Sequence, residues 1–126
     1  MSEAETPPRI PVIRVTAMPA DTNPEGDIFG GWLISQMDLA GGSLAFRTCK
    51  GRAATVAMDG MIFHRPVKVG DEISCYAELR QVGRTSMKIY VEAWRRERQA
   101  DHAEKVTEAT FTFVALDDEG RPRPVR

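Results

Sequence analysis

The chain carries one acid in a place that calls for explanation. Asp38 lies in DTNPEGDIFGGWLISQMDLAGG, residues 21 to 42. Phe29, Leu33, Met37, Ala40 and Leu44 recur there at helical spacing, with Trp32 and Gln36 beside them. They predict a helix from about Ile28 to Thr48 with one broad face on a core. Asp27, Gly31, Ile34, Asp38, Gly41, Gly42 and Ala45 fall on a second face, so Asp38 sits among small side chains rather than charges. A carboxylate there is costly unless hydrated, paired or used. If used, it can serve as a base or a nucleophile; if not, it caps or hydrogen-bonds across a subunit contact.

The helix start is the second chemical feature. Asp27 stands where an N-cap belongs, and Gly30 and Gly31 follow in the first turn although glycine is a poor helix former. Free N–H groups at such a terminus attract an anion or a polarised carbonyl oxygen. The plainer reading is that the glycines let the helix lie close to a neighbouring element. Asp21 to Gly26 is dense in turn formers, so the chain must loop there, and Asn23 before Pro24 reads as a turn residue.

The 126 residues suffice for one domain and not for two. With 17 basic and 18 acidic residues and a net charge of -1, no global field favours nucleic acid. No apolar run approaches a membrane span, and MSEAETPPR lacks the features of a signal peptide, which predicts a cytoplasmic protein with no membrane association. Cys49 and Cys75 lack metal-like spacing and read as free, buried thiols.

The elements that must position these residues can be read in order. Residues 1–8 are polar and read as a flexible segment before a single domain over 9–126, with a basic tail from about residue 120. Ile10, Val12, Ile13 and Val15 predict a first strand, and Ala53 to Phe63 a second. Ile73, Cys75, Ala77 and Leu79 alternate with polar residues in a third strand. Met87, Ile89, Val91 and Ala93 do so in a fourth, and Ala109, Phe111, Phe113 and Ala115 in a fifth. The connections between the second, third, fourth and fifth strands are too short for parallel crossovers, so the sheet is mainly antiparallel and the fold class α+β. Tyr90 and Trp94 on the nominally polar side of the fourth strand predict a partner, hence an oligomer.

Met18-Pro19, Asp21-Thr22-Asn23, Gly26 through Trp32 and Met37-Asp38 together resemble the signature of the YciA-type acyl-CoA thioesterases of the hotdog-fold superfamily. Further matches occur at Thr55-Val56-Ala57, Phe63, Pro66, Val69-Gly70-Asp71, Val82 through Ser86 and Thr112 through Ala115. The resemblance implies a long central helix wrapped by an antiparallel sheet of about five strands. It also implies dimers joined edge to edge, further assembled as trimers of dimers. It implies hydrolysis of acyl-CoA to a carboxylic acid and CoA, on short to medium chains with broad specificity, with no cofactor besides the CoA of the substrate. Asp38 would be base or nucleophile, Gly30 or Gly31 the oxyanion donor, and Asn23 a ligand of the carbonyl or the water. Arg84, Thr85, Ser86 and Lys88 would meet the CoA nucleotide, helped by Arg65, with Asp59 a second carboxylate or an ordering group. Ala40, Leu44, Met58 and Met61 are candidates for the acyl tail. A non-catalytic acyl-CoA-binding regulatory module is the alternative. Asp38 lies ~16 Å along the helix from Asp27, so the two halves of the site would come from two protomers.

Overall fold

The computed structural model describes residues 10–126; the segment 1–8 read as flexible lies outside the described residues. β1 (Ile13–Thr16) and a short 3-10 turn (Pro19–Asp21) precede the single long helix of the described residues, α1 (Gly30–Cys49). β2 (Ala53–Asp59), β3 (Glu72–Val82), β4 (Ser86–Arg96) and β5 (Glu104–Ala115) follow. They form one antiparallel sheet in the order β1-β3-β4-β5-β2. The helix lies across one face, and β2 is left at the sheet edge.

The alternation in the sequence explains the core. Met87, Ile89, Val91 and Ala93 of β4 and Ala109, Phe111, Phe113 and Ala115 of β5 point toward α1 and are buried with Leu33, Met37, Ala40, Ala45 and Cys49. Gly41 sets how near the helix can come. A Cβ at Gly41 would lie 3.1 Å from the Phe113 ring and 3.3 Å from Val91, so a larger residue there would push α1 off the sheet. Both cysteines are free and buried, and burial pushes the Cys75 thiol up to about 12.

Several expectations are corrected. The helix begins at Gly30, and its N-cap is Phe29 rather than Asp27. The Ile28 and Phe29 N–H groups bond to Val67 O and Asp21 O, which holds those residues extended. β1 begins at Ile13 rather than Ile10, beyond Pro11, although Val12 N–H still reaches Cys75 O at 2.8 Å. β2 ends at Asp59, before Gly60 with its positive φ of 66°, so Met61 to Phe63 are not strand. Trp94 gives no argument for a partner, since it is buried with Tyr76 and Ala103 by the chain's own β4–β5 connection. Tyr90 is half-buried, with the Arg80 guanidinium 4.2 Å from its ring centre.

The basic tail also departs from a solvated terminus. Val125 is buried, and its N–H bonds to Arg84 O at 2.9 Å. Arg123 donates to Cys49 O at 2.9 Å and to Leu116 O at 3.0 Å. One guanidinium thus joins the last carbonyl of α1 to the end of β5, where the helix dipole favours a cation. Among the described residues no helix is long and apolar enough to cross a membrane.

Candidate active site

Asp38 projects from mid-helix toward β2. Thr55, the first inward-facing residue of β2 beyond Ala53, donates its hydroxyl to Asp38 Oδ1 at 2.5 Å. Oδ2 has no partner among the described residues. Asp38 is half-buried, so its free oxygen can reach a water or a substrate carbon from the open edge of β2.

The helix start forms the other half. No side chain caps it, and among the described residues no acceptor meets the Gly30 or Gly31 N–H. These two groups can together receive a developing oxyanion. Packing within the chain does not require either glycine. A Cβ at Gly30 would make ordinary contact with Phe63 at 3.4 Å, and at Gly31 it would meet nothing within 4 Å. Asn23 lies in the loop that leads into the helix, its Oδ1 accepting the Glu25 and Asp27 N–H groups at 3.0 Å each. Those two donors fix the amide's orientation and leave its Nδ2 hydrogens to point at an acceptor.

A cavity of about 210 Å³ opens at the same helix end, lined by Ile28, Phe29, Gly30, Leu33, Phe63, Arg65, Pro66 and Val67. Ala40, Leu44, Met58 and Met61 do not line it. Arg65 turns its guanidinium away, to Lys105 O at 2.9 Å and the Glu104 carboxylate at 3.5 Å.

Within one chain the two halves stay apart. Eight residues of helix separate Gly30 from Asp38, about 12 Å of rise. Asp59 is not brought to Asp38 either. β2 shifts register between Thr55 and Ala57, so Thr55 pairs with inward Phe113 but Asp59 pairs with outward Thr110. The irregularity reverses the alternation and turns Asp59 to the far face of the sheet. Lys88 also faces outward, 3.4 Å from Thr112 Oγ1. Arg84, Thr85 and Ser86 lie at the turn that opens β4, near the C-terminal end of α1, with Arg84 O and Thr85 O held by the Val125 and Ala115 N–H groups.

Thr55 is a candidate site residue that the sequence alone does not single out for a role. Nothing local marks it, because its partner is 17 positions away and the register that joins them is long-range.

Polar contacts with β5 hold the β2–β3 connection. His64 N–H bonds to Val106 O at 2.7 Å, Thr107 Oγ1 donates to Ile62 O at 2.6 Å, and the His64 ring meets Glu108 at 3.2 Å. Burial raises the Glu108 pKa, but its hydrogen bonds with His64 and Lys105 outweigh that and hold it below the usual range.

Comparison with known proteins bears on the family and the fold. Residues 25–101 match the Thioesterase superfamily. The chain is 51% identical over 115 residues to the acyl-CoA thioester hydrolase YciA of Escherichia coli, covering 89% of this chain and 87% of that one. Among solved structures it resembles the hexameric thioesterase y2039 of Yersinia pestis, with a TM-score of 0.90, 47% identity, and 96% and 98% of the two chains covered. It also resembles HI0827, a hexameric broad specificity acyl-coenzyme A thioesterase, with a TM-score of 0.87, 46% identity, and 93% and 81% covered. The chain therefore belongs to the thioesterase superfamily, as a hotdog-fold member of its YciA-type acyl-CoA thioester hydrolases.

Proposed function

We propose that this protein hydrolyses acyl-CoA thioesters to a carboxylic acid and free CoA, at sites built by two protomers. The observation that carries the reading is Asp38, a mid-helix carboxylate with one oxygen held by Thr55 and the other open. The thioester carbonyl oxygen accepts from the Gly30 and Gly31 N–H groups, and Asn23 Nδ2 donates to the carbonyl or the water. Asp38 of the other protomer takes a proton from water as it attacks, or itself attacks to give an anhydride that water then opens. CoA leaves as a thiolate that needs little help, its conjugate acid lying near the ~8.5 of an ordinary thiol. CoA belongs to the substrate, and the step uses no further cofactor.

The exposed edge of β2, with Val56 59% and Met58 40% exposed, supports a dimer in which two β2 strands pair and the helices run antiparallel. That arrangement brings each helix start to the middle of the other helix. Hexameric relatives support assembly into trimers of dimers. The protomer supplying Asp38 then also supplies the nearer Arg84, toward the end of the same helix, whose last residue lies about 16 Å along from Asp38. Arg84, Thr85, Ser86 and Lys88 of the assembly meet the CoA nucleotide, Arg65 assists, and Asp59 orders the outer surface of the site. A cytoplasmic location is part of the same reading.

The test is thiol release from acetyl- through palmitoyl-CoA by the parent and by Asp38→Asn, with oligomeric state checked on both. The reading predicts turnover in the parent and a loss of about 10²–10⁴-fold in the variant. CoA binding without turnover on any chain would favour a regulatory acyl-CoA-binding module instead.

A further inference from the structure

The cavity at the helix start has a chemistry of its own. Ile28, Phe29, Leu33, Phe63, Pro66 and Val67 make most of its wall, with Arg65 and Gly30, the candidate oxyanion donor, also lining it. Because Gly30 lines the cavity, a carbonyl bound at its N–H lies next to this space, and one of its two substituents can enter it. One substituent is the thioester sulfur with its pantetheine arm, whose amides would lose hydrogen bonds among these side chains; the other is the acyl chain. The Val67 carbonyl is already taken by the Ile28 N–H, and Arg65 is engaged elsewhere. The wall therefore favours alkyl.

Phe63 is the side chain placed to set its depth. Its ring lies against Gly30, with Cζ 3.4 Å from where a Cβ would sit, yet it is 45% exposed and outside the buried core. Its backbone is pinned on both sides, through Ile62 O to Thr107 and through His64 N–H to Val106 O. A ring fixed at its base and bare on one side is a wall rather than a core residue.

We propose that this cavity is the acyl pocket and that Phe63 determines the chain length it accepts. This rests on the hydrolase reading and names the substrate part that the pocket takes. An apolar cavity of about 150 Å³ holds a benzene ring, so 210 Å³ takes an alkyl chain of about six carbons.

The experiment is kcat/KM on straight-chain acyl-CoAs, acetyl through palmitoyl, for the parent, Phe63→Ala, Phe63→Leu and Phe63→Trp, each checked for assembly. The parent should peak near hexanoyl. Truncation to Ala or Leu should move the peak to longer chains, with kcat/KM rising about fourfold for each further methylene buried. Trp should move it to shorter chains, which a variant that merely loosened the fold would not do. An unchanged chain-length profile in all three variants, with the parent active, overturns the pocket and leaves the hydrolase reading standing. Absence of turnover in the parent overturns both.

Discussion

Thr55 on the edge strand β2 donates its hydroxyl to Asp38 in the middle of α1, at 2.5 Å. The bond spends one carboxylate oxygen on the protein and aims the other at the open side of the sheet. It also ties the candidate catalytic group to the strand along which a second copy would dock, so its geometry and the dimer depend on each other.

Replacing Thr55 with Val keeps the shape and removes the donor. We expect kcat to fall about tenfold or more with KM within about twofold, since a hydrogen bond to a charged group is worth ~1.5–3 kcal/mol. Steady-state kinetics check this, and Thr55→Ser should restore most of the rate. Equal kinetics in Thr55→Val and the parent would remove Thr55 from the site.

The tail offers a test of stability. Arg123→Ala leaves Cys49 O and Leu116 O without their guanidinium, at an expected cost of about 1–2 kcal/mol. Urea denaturation should show the lower midpoint. Amide exchange should quicken first around residues 47–51, at the C-terminal end of α1.

Glu108 predicts an acid limb in the stability curve. Its folded carboxyl lies below the ordinary 4.5, so the unfolded chain binds the proton more tightly and acid favours unfolding. The contribution is complete above that ordinary value and is lost as pH falls through the depressed folded one. Glu108→Gln should flatten this limb while changing little near neutrality relative to its own baseline. An unaltered limb, followed by circular dichroism from pH 3 to 7, would contradict the assignment.

What the sequence made legible follows from range. The period of α1 and the alternation of β3, β4 and β5 are local properties, and they located Asp38, Gly30 and the core face within a residue or two. That Asp59 lies on the opposite sheet face from Asp38 within one chain follows from the irregularity near Val56, which reverses the alternation, and no residue type there announces it. Trp94 looked like an interface residue because the loop that covers it reaches back from Ala103. The anchoring of Arg123 could not be read, because its acceptors are backbone carbonyls, which no side-chain pattern encodes. Thr55 and Phe63 were visible as family-like residues, and only the pairing of β2 with β5 and the return of residues 60–67 past the helix start gave them neighbours.

The claim that one protomer supplies Asp38 and another supplies Asn23 with the Gly30 terminus is tested most directly by complementation. Asp38→Asn and Asn23→Ala chains, carrying different tags, would be assembled separately and together. Each alone should be nearly inactive. Mixed in equal amounts, half the dimers should be hybrids with one of two sites intact, restoring about a quarter of the parent's kcat. Hybrids isolated by both tags that stay as inactive as their parents would show that each site lies within a single chain.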